Sequence, residues 1–190
     1  VRDEAGRLMV KRLETKLEGV ALIEPQVFGD KRGFFVETFS LDSWTGLGGD
    51  AGFVQHNHSR SSKDTLRGLH FQTHPGQAKL LRCPRGSIFD VAVDLRRDSA
   101  TYGQWEGHVL DDVNHHQLYV PIGFAHGFCV LSDVADVTYL VSSLYDPETE
   151  AGIRWNDPEV GVEWPVEEPL LSQRDIEAPL LSEVAPDLPF

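Results

Sequence analysis

The chain has 190 residues, 41% hydrophobic and 25% charged, a composition that excludes wholesale disorder and bounds it to one domain, two at most. Lys and Arg number 17 against 30 Asp and Glu, a net charge of −13, which opposes non-specific binding to nucleic acid or anionic membrane. No apolar run nears the roughly 20 residues of a membrane span and no secretory pattern opens the sequence, so a soluble, cytoplasmic protein is expected. Cys83 and Cys129 sit in apolar alternating segments with no Cys-x-x-Cys spacing, and they read as buried thiols.

Short segments of alternating polarity follow one another: 34–39, 53–58, 78–83, 88–95, 116–120, 124–131 and 137–145. Gly, Pro, Asn or Asp punctuates them, as in Pro84-Arg85-Gly86 and Pro121-Ile122-Gly123. Evenly spaced short strands with turn signals predict a β-sandwich or barrel. Helical periodicity is confined to 40–47 and 171–177, the latter opened by Ser172-x-x-Asp175, a cap-and-acid pattern. The expected architecture is mostly β: one barrel-like domain with a few short helices. Charge is uneven. Residues 60–97 hold eight bases and three acids, whereas 146–190 hold two bases and twelve acids. A basic stretch in an acidic protein is what a site for an anionic small molecule requires, although two exposed strand faces would read the same way.

Eight histidines raise the question of a metal. His56-Asn57-His58 puts two imidazoles on one strand face, and Pro121-x-Gly123-x-x-His126 resembles the second motif of the cupin superfamily of small β-barrels. A metal-binding cupin also needs a Glu closely after the His-x-His, but here Ser59-Arg60-Ser61-Ser62-Lys63 follows, which makes the place positive and no metal site is expected. On the strand 66–72, strict alternation puts Arg67, Leu69 and Phe71 on one face and Gly68 with His70 on the other. Asp90 lies within an apolar strand, so it must be paired, and orienting a barrel histidine is one use for it. Tyr139 is a core-strand phenol, either packed with a tethered hydroxyl or a proton donor. With Lys and Arg available and no evident nucleophile, this set suits proton transfer beside a carbonyl.

Nine strings in order carry a specific resemblance. They are Pro25-x-Val27-Phe28-Gly29-Asp30-x-Arg32-Gly33-Phe34-Phe35-x-Glu37, Phe53-Val54-Gln55-x-Asn57-His58-Ser59, LRGLHFQ (66–72), Ala78-Lys79-Leu80 and FDVAVDLR (89–96). Tyr102-Gly103-Gln104-Trp105, VPIGFAHGF (120–128), Leu144-Tyr145-Asp146-Pro147 and Gly152-Ile153-Arg154-Trp155-Asn156-Asp157 complete the series. Together, from about residue 10 to 182, they resemble the dTDP-4-dehydrorhamnose 3,5-epimerase family, which is similar in fold to the jelly-roll barrels of cupins and works without metal or organic cofactor. That likeness implies a single cupin-like domain over 1–190, with 1–9 as an N-terminal extension and 183–190 as a C-terminal tail. The resemblance implies a homodimer with exchanged N-terminal strands. It also implies inversion of dTDP-4-dehydro-6-deoxy-D-glucose at both carbons flanking the ketone, supplying rhamnose nucleotide for cell-surface polysaccharide.

Carried over by motif, His70 is the base, Asp175 its orienting acid, Tyr139 the proton donor and Lys79 the cation beside the enolate. Arg67 and His126 line the sugar pocket, with Asp90 holding His126. Gln55, Asn57, Glu150 and Arg174 contact substrate, while Arg32 and Glu37 reach the nucleotide in the partner subunit's site. Three departures from the family pattern, His56, Leu140 and Arg174, bear on substrate preference. Relatives that invert one carbon only share the same base and acid, so single epimerisation of a related dTDP-ketosugar is the alternative. A metal-dependent cupin oxygenase and a non-catalytic dTDP-sugar binder are the remaining readings.

Overall fold

The computed structural model describes residues 10–47 and 52–190; the expected extension at 1–9 lies outside them. The strands are β1 (Val10–Leu13), β2 (Ala21–Pro25), β3 (Val27–Asp30), β4 (Gly33–Val36), β5 (Gln55–Ser62), β6 (Leu66–Gln72) and β7 (Lys79–Arg85). They continue with β8 (Ser87–Asp94), β9 (Trp105–Asp111), β10 (Gln117–Val120), β11 (Phe124–Val130), β12 (Val134–Val141) and β13 (Glu150–Gly152). The α-helices are α1 (Leu41–Gly46), α2 (Gln173–Glu177) and α3 (Leu181–Val184).

Two antiparallel sheets face each other, one in the order β1-β2-β10-β7-β12-β5 and the other β13-β6-β11-β8-β9. Alternation explains the sandwich. Leu22, Leu81, Leu118 and Val137 point inward from the first sheet and meet Ile88, Ala92, Leu110 and Phe128 from the second. The outer face of the second sheet is covered as well. Leu69, Phe71, Val91, Val93 and Ala125 pack there under Ile153, Val160, Leu181 and Leu188 of the C-terminal segment. That double cover is why β11 is buried at every position and reads as a nearly continuous apolar run. Residues 183–190, expected as a tail, close this second core: Phe190 packs edge-on against Phe71, and its carbonyl accepts the Arg97 N–H at 3.2 Å.

Seven of the expected strands correspond to β4, β5, β7, β8, β10, β11 and β12. Both expected helical turns form, each capped by a serine: the Ser40 Oγ accepts the Ser43 N–H and the Ser172 Oγ accepts the Asp175 N–H. Strand β9 was not expected, because Glu106 and His108 occupy two of its inward positions and erase the apolar alternation. The hairpin β3–β4 stands apart from both sheets and exposes Phe28, Phe34 and Phe35.

Candidate active site

At one end of the sandwich the apolar filling stops and a cleft of about 540 Å³ opens between the sheets. Strand β6 supplies His70 from one wall. Strands β5, β7 and β12 supply Asn57, Lys79 and Tyr139 from the other, and Glu150 on β13 with Arg174 and Asp175 on α2 close the side.

Local geometry at Gly68 determines which side chains of β6 enter the cleft. Gly68 has φ +133°, and a Cβ there would come within 2.5 Å of the Gly127 Cα, so only glycine permits the two backbones to approach this closely. The pairing of β6 with β11 slips between His126 and Phe128. The slip corrects the alternation expected for this strand: Arg67 joins His70 in the cleft and donates from Nε to Ser61 Oγ at 3.0 Å, while Leu69 and Phe71 remain on the opposite face.

His70 Nε2 lies 2.6 Å from Asp175 Oδ1. The other carboxylate oxygen accepts the Ser172 hydroxyl at 2.7 Å, so the helix cap and the imidazole hold one buried carboxylate between them. Burial alone would raise the Asp175 pKa, but its hydrogen bonds to His70 and Ser172 keep it below the ordinary value. Lys79 reaches inward with Nζ 3.5 Å from the His70 carbonyl. Burial pushes its pKa down to about 8 against the pull of Asp90 and Glu150, which leaves it an ammonium at neutral pH. Burial also raises the pKa of Tyr139, with Arg67 opposing, so its phenol keeps its proton there.

A second imidazole–carboxylate pair lies deeper. His126 Nε2 stands 3.0 and 3.1 Å from the two oxygens of Asp90, which is wholly buried. Here burial dominates, lowering the His126 pKa and raising that of Asp90.

The cleft thus gathers His70, Lys79, Tyr139 and Asp175 with Asn57, Arg67, His126, Glu150 and Arg174. Gln55 is one step removed, donating to Asn57 Oδ1 at 2.8 Å. Arg32 and Glu37 are elsewhere. Arg32 pairs with Asp30 on the exposed hairpin, and Glu37 accepts the hydroxyls of Ser40 and Ser43 at the start of α1. His56 and His58 turn to the outer face of the sheet, where His56 lines another cavity and His58 lies 3.5 Å from Asp136. Among the described residues no group of three or more His, Cys, Asp and Glu is arranged to hold a metal ion.

Sequence reasoning passed over Tyr145. Its hydroxyl donates to Glu150 Oε2 at 2.7 Å, and the same oxygen takes Arg174 Nη1 at 2.6 Å. The alternating segment 137–145 places Tyr145 at the end of a strand, but β12 stops at Val141 and Tyr145 lies in the loop beyond it, so the Leu-Tyr-Asp-Pro string was the only useful signal for it. As a whole the site offers an imidazole braced by a carboxylate on one side, and a protonated phenol and an ammonium from the facing sheet, all lining one cleft. That arrangement can take a proton from carbon, hold the resulting negative charge and return a proton from the other side.

The family model for dTDP-4-dehydrorhamnose 3,5-epimerase matches residues 14–183. A Neisseria gonorrhoeae protein named dTDP-4-dehydrorhamnose 3,5-epimerase is 52% identical over 86% of this chain, which spans about half (50%) of that longer protein. One of the same name from Shigella flexneri is 49% identical, with 86% of this chain matching 92% of the relative. Among solved structures, a dTDP-6-deoxy-D-glucose-3,5-epimerase from Legionella pneumophila Philadelphia 1, in complex with dTDP-4-keto-L-rhamnose, superposes with a TM-score of 0.91 at 43% identity, covering 94% of this chain and 96% of that one. With the matched region containing every strand except β1 and every residue of the cleft, the chain belongs to the dTDP-4-dehydrorhamnose 3,5-epimerase family.

Proposed function

We propose that the protein converts dTDP-4-dehydro-6-deoxy-D-glucose to dTDP-4-dehydro-L-rhamnose by deprotonation and reprotonation at both carbons beside the ketone, without metal or organic cofactor. The reading rests on one observation: His70 and Tyr139 belong to opposite sheets and line one cleft, with Lys79 in the same space. His70 takes the proton from a carbon beside the ketone, and the C–H electron pair passes into an enolate. The Lys79 ammonium stabilises the enolate oxygen. Tyr139 then delivers its proton to the opposite face of that carbon, and the stereocentre is inverted. Asp175 holds the imidazole by its Nε2, leaving Nδ1 for the substrate.

The nucleotide end calls for a second subunit. Arg32 and Glu37 lie outside the cleft of their own chain, and Arg32 rides on a hairpin that leaves Phe34 and Phe35 59% and 66% exposed. A homodimer in which N-terminal strands exchange would cover those rings and bring Arg32 and Glu37 to the dTDP of the partner's site. No helix of the described residues is long and apolar enough to cross a membrane, and we place the reaction in the cytoplasm, where sugar nucleotides are made.

Proton NMR of the ketosugar nucleotide with the protein and a chelator in deuterium oxide tests this reading. Deuterium at both carbons beside the ketone supports it. Label at one carbon only assigns the chain to single epimerisation, and binding without label leaves a sugar-nucleotide binder.

A further inference from the structure

The inward face of β9 departs from what a sandwich interior requires. In register across the second sheet, one row of inward residues runs His70, His126, Ala92, Glu106, and the next runs Phe128, Asp90, His108. Beyond this place the interior is apolar, with Leu110 following on β9 and Ile88 on β8. Glu106 Oε1 and His108 Nε2 face each other at 3.5 Å, and both atoms are buried without a hydrogen-bond partner. The other Glu106 oxygen accepts the N–H groups of Lys16 and Leu17, ahead of β2. Those two N–H groups account for one Glu106 oxygen, but an apolar residue in place of His108 would pack here without any desolvation cost, so stability alone gives no reason for the buried His or for the second Glu106 oxygen that faces it.

What the pair adjoins is informative. His108 is the residue directly opposite Asp90 in the antiparallel ladder, and directly opposed side chains share a face with Cβ atoms about 5 Å apart. Asp90 therefore has imidazoles on two sides: His126, bonded at 3.0 Å in the cleft, and His108, away from it. The charge of Asp90 in turn favours the ammonium of Lys79, which burial opposes. The groups around Lys79, Asp90 and His126 from the surrounding elements are His70 on β6, Glu150 on β13, Arg174 on α2 and His108 on β9, with Glu106 behind His108.

We infer that Glu106 and His108 are positioning residues for the reaction: the Glu106 carboxylate faces His108 across 3.5 Å, His108 stands opposite Asp90, and together they favour the ionised form of Asp90 beside Lys79 against the burial that opposes it. This rests on the proposed role of Lys79 at the enolate, but the coupling itself can be read without turnover. The chain of influence is Glu106 to His108 to Asp90 to Lys79, and the substrate touches only the last of these.

The experiment follows the Lys79 titration by NMR of the protein carrying 13C-labelled lysine, with the Lys79 signal identified by its loss in Lys79→Arg. It is run on the wild type, on Glu106→Gln and on His108→Leu. Glutamine keeps an oxygen for the Lys16 and Leu17 N–H groups and removes only the charge, so the fold is retained and the readout is electrostatic. The midpoint should fall by about half to one pH unit in each variant, and kcat/KM at pH 8.5 should drop by about three- to tenfold with little change at pH 6.5. An unmoved or raised midpoint in Glu106→Gln overturns the inference, and that variant decides alone if His108→Leu fails to fold. Should the wild type show no turnover, the epimerase reading falls while the NMR midpoints still judge the coupling.

Discussion

Two imidazole–carboxylate pairs stand next to each other in this protein and differ in almost everything but composition. In the His70–Asp175 pair the imidazole side chain is 26% exposed and the carboxylate, on a capped helix, has its pKa lowered, against burial, by hydrogen bonds to His70 and Ser172. In the His126–Asp90 pair the imidazole is 10% exposed, the carboxylate is wholly buried, and burial drives both members toward their neutral forms. The lesson is that hydrogen bonding and access, rather than the presence of a His and an Asp, separate a base from a brace. A carboxylate kept ionised can receive the charge an imidazole acquires when it takes a proton, whereas one that burial has pushed upward serves as a tether.

The sharpest way to break this comparison is to remove each imidazole in turn. His70→Asn should lower deuterium exchange into the substrate by about 10³–10⁴-fold, while His126→Asn should lower it by only about tenfold. Equal losses would mean that the two pairs share the work. Next in size, Tyr139→Phe should lower net inversion by about 10²–10³-fold while substrate protons still wash out, since the base is intact. Loss of washout together with inversion would place Tyr139 on the deprotonation side.

The comparison extends to pH through Lys79. Its ammonium is lost as pH rises through about 8, so kcat/KM should fall across that range, and Lys79→Met should be slow throughout and lack that limb. Tyr139 has its pKa raised and cannot supply a limb so low. The linked effect on stability has the opposite sense. Between about 8 and the unfolded lysine value of about 10.4 the unfolded chain binds more protons, so stability rises with pH there.

The smallest effect separates the two carboxylates directly. Asp175, with its pKa lowered, stabilises the fold above the unfolded carboxylate pKa of about 3.9 and loses that contribution as pH falls through its own folded value. Asp90, with its pKa raised, does the reverse, and protonation relieves it. Thermal midpoints at pH 7 and pH 4 should therefore converge in Asp175→Asn and diverge further in Asp90→Asn than in the wild type. A shift in the same direction for both would remove the electrostatic distinction.

Much of this fold was legible because its central strands obey simple alternation. Residues 88–95 and 124–131 were read as strands and correspond to β8 and β11, whose apolar positions face two cores. Strand β9 was hidden by its own polar interior residues, and β13, three residues at a sheet edge, is too short for periodicity to register. Within the site, His70, Lys79, Tyr139 and Asp175 came from motif resemblance, and composition or spacing alone would not have joined residues so distant in sequence. The facing of Arg67 was misread because alternation assumes a regular ladder, and the close approach of Gly68 to Gly127 breaks it. Ser172 is the instructive middle case: its capping pattern was visible, but that the cap also grips the Asp175 side chain follows only from the fold.

The brace for His70 comes from 105 residues further along the chain, on a helix of five residues. The sandwich core draws on residues up to Val137, so most of its strands are synthesised well before Asp175 emerges. A nascent or clipped chain ending before residue 171 would carry the imidazole, the phenol and the lysine but not the group that aims the imidazole. Turnover in this architecture therefore depends on the segment that carries Asp175, and cutting that segment away would also uncover the outer face of the second sheet, against which Leu181 and Leu188 pack.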